Sequence, residues 1–364
     1  MFDTDKRWKD LGKVFVDYCL ELKPGEKLMI AQYEPETWPL ALATYEAAIQ
    51  AGGYTQIQLK SEYLRRAFMK YGTEKQYGWL PGIETLGMEW ADAYVALRGG
   101  YNLDIYHDIP ADVLAVNQAV QGKVSALRWQ HTRWLLSRVP NAAFAQQAGL
   151  DLETVTNMYF DACLMDYGDG LKEWESWAKA ITGTGKQIVH VTGKNTDLTM
   201  DVIANTWQAS AVIRNIPGGE IFCAPDNTKK LNGTIYWENP GVLGGRLMPD
   251  MQVTWKDGVL VKATASKNAD YLNNVLSSDP GASLLGEFAF GTNKFLTHFT
   301  NDILWDEKIY GTIHFAFGRS AFGGTNESAI HWDVVKDMRE GGEVAIDGVT
   351  VMSGGELLLK NLVD

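Results

Sequence analysis

Two histidines and an aspartate lie close together near the C-terminus. They fall in Tyr310-Gly311-Thr312-Ile313-His314-Phe315-Ala316-Phe317-Gly318 and in Asn326-Glu327-Ser328-Ala329-Ile330-His331-Trp332-Asp333. The chain has six histidines in all, so two in one short stretch of apolar runs stand out. On a strand, residues two apart share a face, so His331 and Asp333 can converge on one point. Imidazole beside carboxylate suits a transition metal better than calcium or magnesium.

Two further carboxylates have suggestive settings. Glu287 sits in Leu284-Leu285-Gly286-Glu287-Phe288-Ala289-Phe290-Gly291. A carboxylate inside such an apolar run stays buried only when paired or metal-bound. Glu220 follows Ile216-Pro217-Gly218-Gly219 and precedes Ile221-Phe222, which reads either as a loop tip or as a directed ligand. Taken alone, His314 reads as a hydrogen-bonded core histidine. His190 and His298 have no acidic neighbour in sequence and read as structural.

Coincidence changes the weighing. Glu220, Glu287, His314, His331 and Asp333 all fall in the C-terminal half, each at the edge of a Gly-bounded apolar segment. Two imidazoles and three carboxylates are enough for two divalent metals. Three negative charges against two dications leave roughly one positive charge, which favours a bound hydroxide over water. A metal brings the pKa of such water to about 7, giving a nucleophile at neutral pH.

Other catalytic patterns are missing. Gly183-Thr184-Gly185-Lys186 superficially resembles a phosphate loop, but Ala180 and Gln187 stand where that loop needs Gly and Ser or Thr. No G-x-S-x-G elbow occurs, and no G-x-G-x-x-G follows the first strand signal.

The elements that must position these residues fall into two groups. Glu26 to Ala31, Tyr54 to Leu59 and Ala91 to Leu97 read as strands, separated by helical patterns such as Pro39 to Ala51, which Gly52-Gly53 stops. That alternation implies βαβ units and a doubly wound parallel sheet. Ala111 to Leu136 and Leu152 to Ile181 read as mostly helical. Beyond Gly183-Thr184-Gly185 the pieces are short and β-rich: Gln187 to Thr192, Asp197 to Ile203, Gly233 to Trp237, Met251 to Trp255 and Val259 to Thr264. Asp257-Gly258 between the last two is a hairpin signal, and Ala269 to Leu276 reads as a helix. The expectation is an α/β chain: residues 1–184 form an N-terminal doubly wound parallel-sheet domain. Residues 185–364 form a mainly antiparallel α+β domain carrying a dinuclear metal site.

Composition sets the remaining bounds. At 364 residues the chain is long enough for two domains. A net charge of −12 argues against a general nucleic-acid surface. No apolar run reaches the ~18–20 residues of a membrane span, and the N-terminus lacks a signal-peptide stretch. Three dispersed cysteines make a disulfide framework or structural zinc unexpected. A soluble cytoplasmic protein is the expectation.

At the motifs quoted above the chain resembles the thermophilic-metalloprotease group of aminopeptidases, typified by aminopeptidases T and S. The resemblance begins at Leu20-Glu21-Leu22-Lys23-Pro24-Gly25-Glu26-Lys27. It runs through Asn215-Ile216-Pro217-Gly218-Gly219-Glu220-Ile221-Phe222 and Leu285-Gly286-Glu287-Phe288-Ala289, and is most specific at Asn326 to Asp333. It implies a homodimer that releases N-terminal residues from short peptides with two divalent ions (zinc, cobalt or manganese). Glu220, Glu287, His314, His331 and Asp333 would be the ligands, and Glu220 and Glu287 would also take part in catalysis. Glu307, in Trp305-Asp306-Glu307-Lys308, resembles a further acidic residue near the family's site. One departure stands out: the tyrosine that the family carries seven residues after its first metal-binding histidine is here Ala321. Losing one oxyanion donor typically costs ~10²–10³ in rate, so weakened or altered activity is expected. Arg319 could supply a substitute charge. The alternative reading is a mononuclear Fe(II) ring-cleaving dioxygenase using His314, His331 and Asp333, since two histidines and one carboxylate make that site.

Overall fold

In a computed structural model, residues 5–129, 131–210, 214–226, 231–320 and 322–359 are described. They divide into two compact units, Met1–Met165 with Val212–Pro217, and Asp166–Ala211 with Gly218–Asp364. The helix Tyr167–Ile181 therefore groups with the second unit.

The first unit is built on a parallel sheet. Strands β1 (Lys27–Tyr33), β2 (Tyr54–Lys60), β3 (Ala93–Arg98) and β4 (Arg133–Arg138) pair in the order β2-β1-β3-β4, and the short strand Arg214–Ile216 adds to β4. Every pairing is parallel, as alternating strand and helix signals require. Gly25 and Gly52 take φ of 85° and 83°, values open to glycine at no steric cost, and they end the turn and the helix that flank β1 and β2. Ala111 to Leu136, expected to be mostly helical, is so as far as Trp129, and strand β4 takes up its end. The α-helix ends at Ala126, and Trp134-Leu135-Leu136 is the centre of a strand. Periodicity cannot separate a four- to six-residue apolar run in a strand from the end of a buried helix.

The second unit is mainly antiparallel. An eight-stranded sheet includes Lys186–Gly193, Thr196–Ile203, Asn232–Trp237, Met251–Lys256 and Val259–Thr264. Asp257 and Gly258 adopt φ of 52° and 79°, the paired positive values of a tight hairpin. The second sheet carries the chemistry. Its strands β5 (Gln208–Ser210), β6 (Glu220–Cys223), β7 (Leu285–Gly291), β8 (Thr312–Gly318) and β9 (His331–Asp337) lie in the order β9-β8-β7-β6-β5.

Alternation gives this second sheet two unlike faces. Phe288, Phe290, Phe315 and Phe317 are fully buried on one face, the first two against Trp207 and the last two against Trp237 and Trp255. Burying each such side chain contributes roughly 1.5–3 kcal/mol, which offsets the cost of placing charged groups on the other face. That other face carries Glu287, Ala289 and Gly291 on β7, and His314, Ala316 and Gly318 on β8.

Candidate metal centre

Strand register assembles the cluster. Asp333 pairs with Ala316, which pairs with Glu287; His331 pairs with Gly318; Glu220 pairs with Gly291. A bulge between Leu285 and Glu287 sets Glu287 on the site face. His314 Nε2 lies 3.5 Å from Glu220 Oε2 and 3.6 Å from Glu287 Oε1. His331 Nε2 lies 3.5 Å from Asp333 Oδ2 and 3.8 Å from Glu287 Oε2. All five residues expected from the sequence are thus brought together, with Glu287 between the two imidazoles.

The loop before β9 is tied down at several points. Asn326 Nδ2 donates to Gly281 O and Gly318 O at 3.0 and 2.6 Å, while Asp279 accepts from Ser328 Oγ and Ala329 N. At its end, the His331 ring bonds Arg319 O through Nδ1 at 2.8 Å. A carbonyl accepts only, so Nδ1 carries the proton and Nε2 is left to face the carboxylates.

His314 is different. Both its ring nitrogens are buried and make no hydrogen bond among the described residues; Nε2 has only the longer ion-pair approaches of Glu220 and Glu287. Orphaned buried polar atoms are rare and call for an explanation such as an ion. Three groupings of possible ligand atoms occur among the described residues: Glu220-Glu287-His314, Glu287-His331-Asp333 and Glu307-His314-Asp333, each with its atoms within 4.8 Å of one another. None contains both histidines. The nitrogen and oxygen donors fit zinc, cobalt or manganese.

Lys308 completes the cluster and had not been singled out as a site residue from the sequence. Its Nζ lies 2.6 Å from Glu220 Oε2 and 2.8 Å from Glu307 Oε1. The family resemblance points to Glu307 alone in the segment Asp306-Glu307-Lys308; the apolar flanks, Ile303-Leu304-Trp305 and Ile309, are the local signal that Lys308 is buried with it. Glu307 and Lys308 enter as a compensated pair, so the charge balance drawn from Glu220, Glu287 and Asp333 is unchanged. Asp306 also turns inward, accepting from the Thr300 N–H and hydroxyl at 2.7 Å each.

Burial and charge shift these groups strongly. Burial lifts Glu287 above the usual carboxylate range and Glu307 to about 7. Burial disfavours a charged His314, yet the neighbouring carboxylates of Glu287 and Glu220 outweigh it and raise His314 to about 9. The charge of Asp333 raises His331 to about 10. Burial would lift Asp333, but the opposing charge of His331 prevails and holds it at about 2. Without an ion, the cluster is held together by imidazolium–carboxylate pairs.

The surroundings are mixed. A cleft bordered by Val242, Phe299, Ile303, Val335 and Asp306 adjoins Asp333. Phe322 lies 6.1 Å from Phe222, ring to ring. Ala321 lies outside the described residues. The Tyr310 hydroxyl is engaged elsewhere, donating to Glu356 Oε2 at 3.1 Å. His190 pairs with Asp197 at 2.9 Å, and neither His190 nor His298 belongs to a ligand grouping.

Comparison with known proteins agrees with this architecture. The profile of the Thermophilic metalloprotease (M29) family matches residues 4–361. Aminopeptidase 2 of Geobacillus stearothermophilus is 24% identical over 401 aligned positions, covering 94% of this chain and 95% of that protein. Matches to other aminopeptidases span 46% to 66% of their lengths. Among solved structures, wild-type AmpT from Thermus thermophilus superposes with a TM-score of 0.79 at 19% identity, covering 98% of this chain and 100% of that one. The 2,5-dihydroxypyridine dioxygenase of Pseudomonas putida KT2440 superposes at 0.62 with 12% identity, covering 98% of each chain. At such identities these two likenesses show the fold alone. No helix among the described residues is long and apolar enough to cross a membrane.

Proposed function

The chain belongs to the thermophilic metalloprotease family of metal-dependent peptidases, and from that premise we propose a dinuclear aminopeptidase that trims short peptides. The observation that carries the reading is Glu287, whose two oxygens lie 3.6 Å from His314 Nε2 and 3.8 Å from His331 Nε2. A carboxylate so placed can serve two ions at once. Glu220 and His314 would hold one ion, and His331 and Asp333 the other. Zinc, cobalt or manganese fits these donors, and when bound the ions supply Lewis acidity and an acidified water at neutral pH.

The side chains supply the rest. A carboxyl group must carry a proton to the leaving amine, and Glu220 and Glu287, with Glu307 beside them, are the carboxyls in place for that task. With Ala321 in the tyrosine's place, turnover is expected ~10²–10³ below that of a complete site. A homodimer working in the cytoplasm completes the proposal.

The dioxygenase reading needs His314, His331 and Asp333 on one ion, and no ligand grouping among the described residues contains both histidines. Metal analysis of protein purified without added metal separates the two. About two zinc, cobalt or manganese ions per chain supports the peptidase, and about one iron supports the oxygenase. If leucine and methionine dipeptides or anilides stay intact after cobalt or zinc loading, the aminopeptidase proposal fails.

A further inference from the structure

Lys308 belongs to no ligand grouping, yet it divides them. Its ammonium lies 2.6 Å from Glu220 and 2.8 Å from Glu307, and its side chain is 3% exposed. One grouping of ligand atoms contains Glu220 and another contains Glu307; the third, Glu287-His331-Asp333, contains neither. A resident cation already engages a carboxylate in two of the three.

We propose that Lys308 makes the two metal positions unequal, so that Glu287-His331-Asp333 binds a divalent ion tightly and Glu220-Glu287-His314 binds one weakly. This rests on the two-ion reading above. Carboxylate oxygens stand about 2.0–2.2 Å from a bound zinc ion. An ion on Glu220 Oε2 would thus be at most about 4.8 Å from Lys308 Nζ, given the 2.6 Å ion pair. Like charges at that separation repel far more in a buried site than in water. If Glu220 presents its other oxygen, the ammonium still draws on the same delocalised charge.

The second position has the opposite character. No ammonium is paired with Glu287 or Asp333 among the contacts of Lys308. His331 is also preset, because its Nδ1 bond to Arg319 O aims Nε2 at Asp333 and Glu287. An ion arriving there meets oriented ligands, none of them ion-paired with the Lys308 ammonium. Lys308 therefore acts as a positioning residue for Glu220 and as a selector of which position fills first.

Calorimetric titration of ion-free protein with cobalt or zinc tests this directly. Two binding classes of about one ion each are expected, at least tenfold apart. Glu220→Gln should remove only the weak class, and Asp333→Asn the tight one. Lys308→Met, close in shape but uncharged, should strengthen the weak class tenfold or more, an outcome that loss of a merely structural contact would not produce. Should Lys308→Met fail to fold, the wild-type titration and the two ligand variants still decide the matter. Two equal classes in the wild type, or an unchanged weak class in folded Lys308→Met, would overturn the inference. Binding of no second ion at all would instead sink the two-ion reading beneath it.

Discussion

Ser328 donates its hydroxyl to Asp279 across 49 residues of sequence, at 2.9 Å. The other bond to the same carboxylate oxygen comes from Ala329 N at 3.0 Å, and Asp279 Oδ1 accepts from Gly281 N. The Asp279-Pro280-Gly281 turn thus holds the loop that delivers His331. Neither Asp279 nor Ser328 has a place among the ligand groupings.

Asp279→Ala should therefore act on the metal before it acts on the fold. Outer partners that orient ligands are typically worth 10–100-fold in metal affinity. Chelator competition should show a loss in that range, with a thermal midpoint little changed in the ion-free protein. A lowered midpoint with unchanged affinity would assign Asp279 a purely structural role.

Glu287 makes a different prediction because it stands between both histidines. Glu287→Ala should leave less than one ion per chain, whereas Asp333→Asn should leave about one. Elemental analysis after dialysis distinguishes the two. Equal losses from both variants would mean that Glu287 serves one position only.

How much of this was legible in the residues depends on distance along the chain. β1, β2 and β3 could be read because Pro24-Gly25, Gly52-Gly53 and Gly99-Gly100 punctuate them locally. Glu287 could be read because a carboxylate amid Leu, Phe and Ala has no cheap place to go. β4 could not, since Trp134-Leu135-Leu136 is too short to show a period. Lys308 was hidden for another reason: the family resemblance points to Glu307 alone in Asp306-Glu307-Lys308, and its partner Glu220, 88 residues earlier by number, explains its burial. Register across β6 to β9 decides which residues meet, and register is a property of the assembled sheet.

The pH dependence of stability should flatten on adding metal. Without ions, the charge of Asp333 raises His331 to about 10; His314, though burial opposes its charge, is raised to about 9 by the carboxylates around it. Unfolded imidazole titrates near 6.5. Groups raised on folding contribute stability that is complete below about 6.5 and is lost as pH climbs through about 9 and 10. Ion-free protein should melt at falling temperature from pH 7 to 10. Divalent ions need neutral imidazoles and displace those protons, so their stabilising increment should grow over the same interval. Calorimetric melts with chelator and with saturating cobalt at pH 7, 8 and 9 provide the check. An ion-free midpoint that rises with pH would contradict the imidazolium pairs.

Gly286 joins the backbone to the metal ligands most directly. A Cβ added there would lie 2.6 Å from both Arg319 C and Gly318 O, closer than real contacts allow. Gly318 O accepts from Asn326 Nδ2, and Arg319 O accepts from His331 Nδ1. A methyl at 286 therefore presses on the two carbonyls that hold the loop and aim the imidazole. Overpacking of this kind typically costs about 1–3 kcal/mol. Gly286→Ala should lower the melting midpoint by that equivalent and weaken the ion held by His331 and Asp333. If affinity is unchanged while stability falls, strand β8 gives way without moving the ring, and Gly286 is needed for the bulge alone.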